Sequence, residues 1–190
     1  MADTPRHTIA ALVQDRPGVL NRVTSMIRRR NFNITSLAVG HSEVAGLSRM
    51  TFVVEGDDLI LEQVRKQLGK LIDVVKIYNL DGNDVISREY ALIRVRSTPE
   101  SRSEILQIVD IFRASIVDVA QDSMVIEITG DEEKLDSLVR LLRDFGVLEI
   151  MRTGRLAMAR GSNQGANGEF PKPARPAGQR RGRRKDELGW

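Results

Sequence analysis

Moved along by 74 residues, the second half of this chain falls onto the first. Gly56 and Asp57 meet Gly130 and Asp131, and Leu61, Val64 and Leu68 meet Leu135, Leu138 and Leu142. In both places a Gly-Asp pair precedes apolar residues spaced for one helical face, so the shared signal is a cap followed by an amphipathic helix. A repeat of this length restricts the chain to two similar units with one order of elements.

That order is readable from hydropathy. Residues 8–14 read as a strand and 17–30 as a helix, with Leu20, Val23 and Ile27 on one face and Val19 and Met26 beside them. Asn31-Phe32-Asn33 turns the chain into a second strand containing Ile34, Leu37 and Val39. Gly46 opens a third, where Met50, Phe52 and Val54 alternate with their neighbours. A second helix buries Leu61, Val64, Leu68 and Leu71, and Ile72 to Tyr78 closes the unit as a fourth strand. The second half repeats the pattern. A strand spans Glu89 to Val95, and a helix starts at Ser97-Thr98-Pro99-Glu100 with Ile105, Ile108, Val109 and Phe112 inward. Strands Ser115–Val119 and Met124–Thr129, the capped helix, and Val147–Met151 follow. The order βαββαβ predicts, twice over, an α+β ferredoxin-like unit of four antiparallel strands with both helices on one face. The expected boundaries are 1–80 for the first unit, 81–88 for a linker, 89–160 for the second unit and 161–190 for a tail. Each unit is small enough that mutual packing or dimerisation should help its core.

Composition narrows the function. The sequence pI near 9.5 misleads: of 29 Lys and Arg, eight lie after Ala159, against three of the 26 acids, so the body is slightly acidic and the tail basic. The body therefore has no electrostatic footprint for nucleic acid. The tail is rich in Gly, Pro, Gln and Arg and is expected to be disordered. Its RRGRRK run reads either as a nucleic-acid or targeting patch or as a solvated tail, and its KDEL is not terminal. Arg28-Arg29-Arg30 reads as a solvated helix end, with phosphate binding as the alternative. With no cysteine there is no disulfide or thiol chemistry, and two histidines, His7 and His41, are too few for a zinc site. No run of apolar residues is long enough to span a membrane, and the N-terminus lacks a secretory h-region, so a cytoplasmic location is expected. No catalytic motif is present.

What chemistry remains centres on Asp15-Arg16-Pro17-Gly18, between the first strand and the first helix. Pro17 suits a first helical turn, and Gly18 lets another group approach the backbone. The N–H groups of that turn form a positive pole able to seat a carboxylate. Asp15 and the main chain can receive an ammonium, so the turn can bind a zwitterion; the plainer reading is a strand-to-helix turn. Asn33 can donate and accept, or simply edge a strand; Val19, Ile34 and Leu37 can wall a pocket or fill the core. The matching turn of the second half, Arg96 to Ser101, has no glycine and carries Glu100, which would compete with an anionic ligand. The ligand is therefore assigned to the first unit.

The ordered set DRPGVLNRV, NFNITSL, LSRMT and QLGKLIDVVKI resembles the ACT-domain family, and more closely the small regulatory subunit of acetohydroxyacid synthase (acetolactate synthase), over roughly residues 7–160. The resemblance implies an ACT unit followed by an ACT-like unit, in a chain that is not itself an enzyme. It implies activation of a catalytic subunit, feedback inhibition by valine or a related branched-chain amino acid, and a homodimer formed through the ACT domains. Thiamine diphosphate, magnesium and FAD would belong to the catalytic partner, and none to this chain. Neither nucleic acid nor membrane would be a partner. The effector would lie between the turn of one protomer and the second strand of the other, at Asp15, Gly18, Val19, Asn33 and Ile34. Some members carry Asn where Asp15 stands, so here the ligand meets an added charge. Two other readings stay open at this point: an amino-acid sensor controlling a different enzyme, and an RNA-binding ferredoxin-like protein, the latter opposed by an aromatic content of 4%.

Overall fold

The computed structural model describes residues 4–82 and 84–161. The first unit runs β1 (Arg6–Gln14), α1 (Val19–Arg29), β2 (Asn33–His41), β3 (Leu47–Glu55), α2 (Asp58–Leu68) and β4 (Val74–Asn79). Its sheet is antiparallel in the order β2-β3-β1-β4. The second unit runs β5 (Val85–Arg96), α3 (Arg102–Ile111), β6 (Ser115–Val119), β7 (Ser123–Gly130), α4 (Glu132–Leu142) and β8 (Val147–Arg152), followed by β9 (Leu156–Ala159). Its sheet takes the order β6-β7-β5-β8. The expected pair of ferredoxin-like units is present. Among the described residues no helix is long and apolar enough to cross a membrane.

The repeat has a local cause. Asp57 caps α2 by accepting from the Ile60 N–H, and Asp131 caps α4 by accepting from the Lys134 N–H. The glycine before each cap sits under a side chain of the helix it precedes: a Cβ on Gly56 would lie 2.6 Å from Ile60, and one on Gly130 2.7 Å from Lys134. Beneath the helices, Ile9, Val13, Val23, Phe52, Val64 and Leu68 belong to one core, and Ile93, Ile105, Ile126, Leu135, Leu138 and Leu142 to the other. Burying one such side chain fully contributes about 1.5–3 kcal/mol.

Several expectations need correction. Leu20 is not on the buried face of α1; it is 47% exposed, while Val19, Val23, Met26 and Ile27 face the core. The α1 helix begins after Gly18, and α3 begins at Arg102, beyond the Ser97–Glu100 turn. Ile72 is exposed and precedes β4. Residues 85–88, expected as linker, are the first part of β5, where Val85 to Arg88 pair with β9. The β9 strand was not anticipated. This β5–β9 ribbon lies over the outer face of the first sheet and encloses a third cluster of Ala10, Leu12, Tyr78, Leu80 and Ala157. Hence β1 is buried on both faces and reads as a continuous apolar run rather than an alternation. The tail from residue 162 lies outside the described residues.

Polar contacts reinforce the join. Glu132, at the start of α4, accepts from Arg6 at 2.8 Å and from Arg155 at 2.6 Å. The Arg155 N–H donates to Ser36 Oγ at 2.8 Å, and its guanidinium to Thr8 Oγ1 at 3.1 Å.

Candidate functional site

The Asp15–Gly18 turn is held from below. The Gln14 N–H donates to the Asp73 carbonyl at 2.9 Å and the Asp15 N–H to the Gly46 carbonyl at 2.8 Å. The Asp73 carboxylate, in a residue only 1% exposed, accepts from Arg16 at one oxygen and from Arg22 at 2.7 Å at the other. Arg16 is inside the turn and Arg22 is on α1, so one buried carboxylate fixes the turn against the helix. The Arg16 hydrogen bond, followed by that from Arg22, holds the Asp73 carboxyl below its ordinary value despite burial. Sequence reasoning missed this residue. Its signal was a lone acid inside an otherwise apolar run, Leu71-Ile72-Asp73-Val74-Val75.

Gly18 is the N-cap of α1 at φ 87°, a left-handed conformation that favours glycine, and no side chain caps the helix there. Nothing lies within 4 Å of where a Cβ would stand. An uncapped helix pole with open space in front of it can receive an anionic group. Asp15 is exposed, and one of its carboxylate oxygens lies 3.2 Å from His41 Nδ1, a second neighbour that sequence reasoning did not place here. The corresponding turn of the second unit differs as its sequence suggests. Glu100 sits in that turn, and hydrogen bonding to Thr98 and to its own backbone N–H holds its carboxyl below the ordinary value. That turn carries a carboxylate of its own, although α3, N-capped by Ser101, has no side-chain cap either.

The remaining candidates are not gathered around the turn. Val19 and Ile34 pack into the first core, as does the half-buried Leu37. Asn33 is exposed and donates to Glu55. Along β3, the turn lies at the Leu47 end, where Gln14 pairs with Leu47, whereas Asn33 pairs with Glu55. At ~3.3 Å per residue that separation is about 26 Å. Within one chain, Asp15 and Gly18 cannot share a small ligand with Asn33.

Residues 9–76 match the family described as the AHAS small subunit-like ACT domain, which makes this an ACT-domain protein. Residues 88–161 match the family described as the small subunit of acetolactate synthase. The chain is 53% identical over 159 residues to a probable acetolactate synthase small subunit of Archaeoglobus fulgidus, covering 84% of this chain and 99% of that one. It is 47% identical over 164 residues to the acetolactate synthase small subunit of Bacillus subtilis, covering 85% and 95%. The crystal structure of the Thermotoga maritima acetolactate synthase small subunit superposes with a TM-score of 0.79 at 44% identity, covering 83% of this chain and 98% of that one. The chain belongs to the acetolactate synthase small-subunit family.

Proposed function

We propose that this chain is the non-catalytic, regulatory partner of an acetolactate synthase catalytic subunit in the cytoplasm, that it activates that subunit, and that it confers feedback inhibition by valine. The observation that carries the effector assignment is the left-handed glycine N-cap of α1, with open space where its Cβ would stand, set against a second-unit turn that has no glycine and carries Glu100. In this reading the valine carboxylate accepts from the N–H groups at the pole, and its ammonium faces Asp15. The cofactors of the reaction, thiamine diphosphate, magnesium and FAD, reside on the catalytic subunit.

The distance to Asn33 calls for a second protomer. The β2 strand is an edge of its sheet. Two copies of β2 running antiparallel about Leu37 set Asn33 of one protomer opposite the partner's His41, and so near the partner's Asp15 turn. The effector then lies between protomers, and a homodimer carries two such sites. Inhibition follows if valine binds one arrangement of the holoenzyme better than another; equal affinity would change nothing. The test is reconstitution with the catalytic subunit. Added small subunit should raise turnover, and valine should then lower it, with calorimetry detecting valine on the small subunit alone. Turnover by this chain alone, or reconstitution without stimulation, refutes the reading.

A further inference from the structure

A cavity of about 420 Å³ lies between the two units, away from the Gly18 turn. Arg6, Thr35 and Ser36 contribute from the first unit, and Glu89, Glu132 and Arg152 from the second. Glu89 stands apart from the other charged groups. It is only 7% exposed, and among the described residues no hydrogen bond reaches its carboxylate. Its nearest cation, Arg152, is 3.8 Å away and is committed to Asp136 at 2.6 Å. Glu132 has two arginines of its own, Arg6 and Arg155. A largely buried carboxylate that meets solvent only through the cavity, with one distant and shared cation, is costly to keep ionised.

We propose that this cavity binds a small molecule bearing a primary ammonium group, seated on Glu89. Charge supports that polarity. The connected groups are Glu55, Glu89, Glu132 and Asp136 against Arg6, Arg152 and Arg155, so one added positive charge balances the cluster. An anion would face Glu89 and Glu132 while every arginine of the cluster already has a carboxylate partner. A bare metal ion finds no group of three or more His, Cys, Asp or Glu side chains among the described residues. An ammonium brings three donors, enough for Glu89 and for the nearby Thr35 or Ser36 hydroxyls. Because both units line the cavity, such a ligand bridges them.

Protonation supplies a second signature. Burial, and then the Glu132 charge, push the Glu89 carboxyl above its ordinary value, while Arg152 and Arg155 oppose this and Asp136 adds to it. An ammonium favours the ionised carboxylate, so binding should release a proton and strengthen as pH rises through the Glu89 titration.

The experiment titrates the full chain with methylammonium chloride, glycine and sodium acetate at matched ionic strength, following assigned backbone amide resonances. Methylammonium, glycine or both should saturably shift the amides of Glu89, Arg152 and Thr153, more strongly at neutral than at acid pH, and acetate should not. Saturation by glycine alone would add a carboxylate to the ligand class; saturation by both would define a simple amine. Glu89→Gln keeps the volume and should weaken the response at least about tenfold. If that variant does not fold, the pH dependence of the wild type decides. The proposal is overturned by no saturable shift at these amides, by an equal response to acetate, or by binding that ignores pH and Glu89→Gln alike. It does not depend on the valine site: these amides lie on β5 and at the end of β8, and Gly18→Asp should leave their response unchanged.

Discussion

If the effector site is shared between protomers, two different valine-resistant variants should restore each other. Gly18→Asp places a carboxylate where the ligand's would sit, at the pole of α1. Asn33→Ala removes polar partners at the other end of β3, costing ~1–3 kcal/mol in binding, or roughly 5- to 150-fold in affinity. Each pure variant should activate the catalytic subunit and resist valine. In a mixed dimer both lesions fall in one of the two sites and the other site is intact. Random reassortment of equal amounts leaves about a quarter of all sites whole in a two-fold dimer. Calorimetry on the mixture should return about that fraction of wild-type stoichiometry at near wild-type affinity, and the reconstituted holoenzyme should regain partial inhibition. The separation of about 26 Å, several times the length of an amino acid, is what forbids a site within one chain. Native mass spectrometry would confirm that mixed dimers formed. If they form and no valine binding returns, the shared-site geometry is wrong.

Gly18→Ala tests the backbone alone. Its Cβ meets nothing, so the cost is the left-handed conformation, about 1–2 kcal/mol, or a Tm lowered by roughly 2–8 °C in a calorimetric scan. Asp73→Asn should loosen the turn and reduce valine sensitivity while activation persists. Because the folded carboxyl is held below its ordinary value near 3.8, its stabilising contribution is present above that pH and lost as pH falls below it; the variant should show a flatter acid limb in chemical denaturation. Glu132→Gln should leave valine binding intact but weaken inhibition, since Arg6 and Arg155 lose the carboxylate joining the units; equal effects on both would show that Glu132 serves only stability. Leu138→Ala, at a site with no exposure, should cost about 2–5 kcal/mol by denaturant titration.

The order of elements was legible because one face of each helix and one face of each sheet is apolar, and that periodicity survives in the sequence. The paired caps at Asp57 and Asp131 were legible for the same local reason. What escaped depends on contacts between distant residues. Leu20 follows the helical period of its neighbours, and only the position of the sheet decides that it stays exposed. Leu156 to Ala159 is too short, and its Leu, Ala and Met favour helix too strongly, to announce a strand; it is ordered by pairing with Val85 to Arg88 across some seventy residues. Gly18 was visible because its conformation is a property of its own residue. Asp73 was not, since its partners lie 51 and 57 positions away.

The β5 strand gives the two units a mechanical reason to respond together. Its first residues cover the outer face of the first sheet, and its last eight form the middle of the second, between β7 and β8. The cluster it closes holds Ala10 and Leu12 from β1, the strand that runs directly into the Asp15–Gly18 turn. Close-packed interiors transmit displacement rather than absorb it. A ligand that shifts the turn therefore acts on a strand packed against one end of β5, whose other end is the core of the second unit. The Glu132 contacts to Arg6 and Arg155 lie beside that route. Coupling through packing and coupling through charge are separable: Glu132→Gln cuts the second and leaves the first, so the inhibition that survives it measures how much the shared strand carries alone.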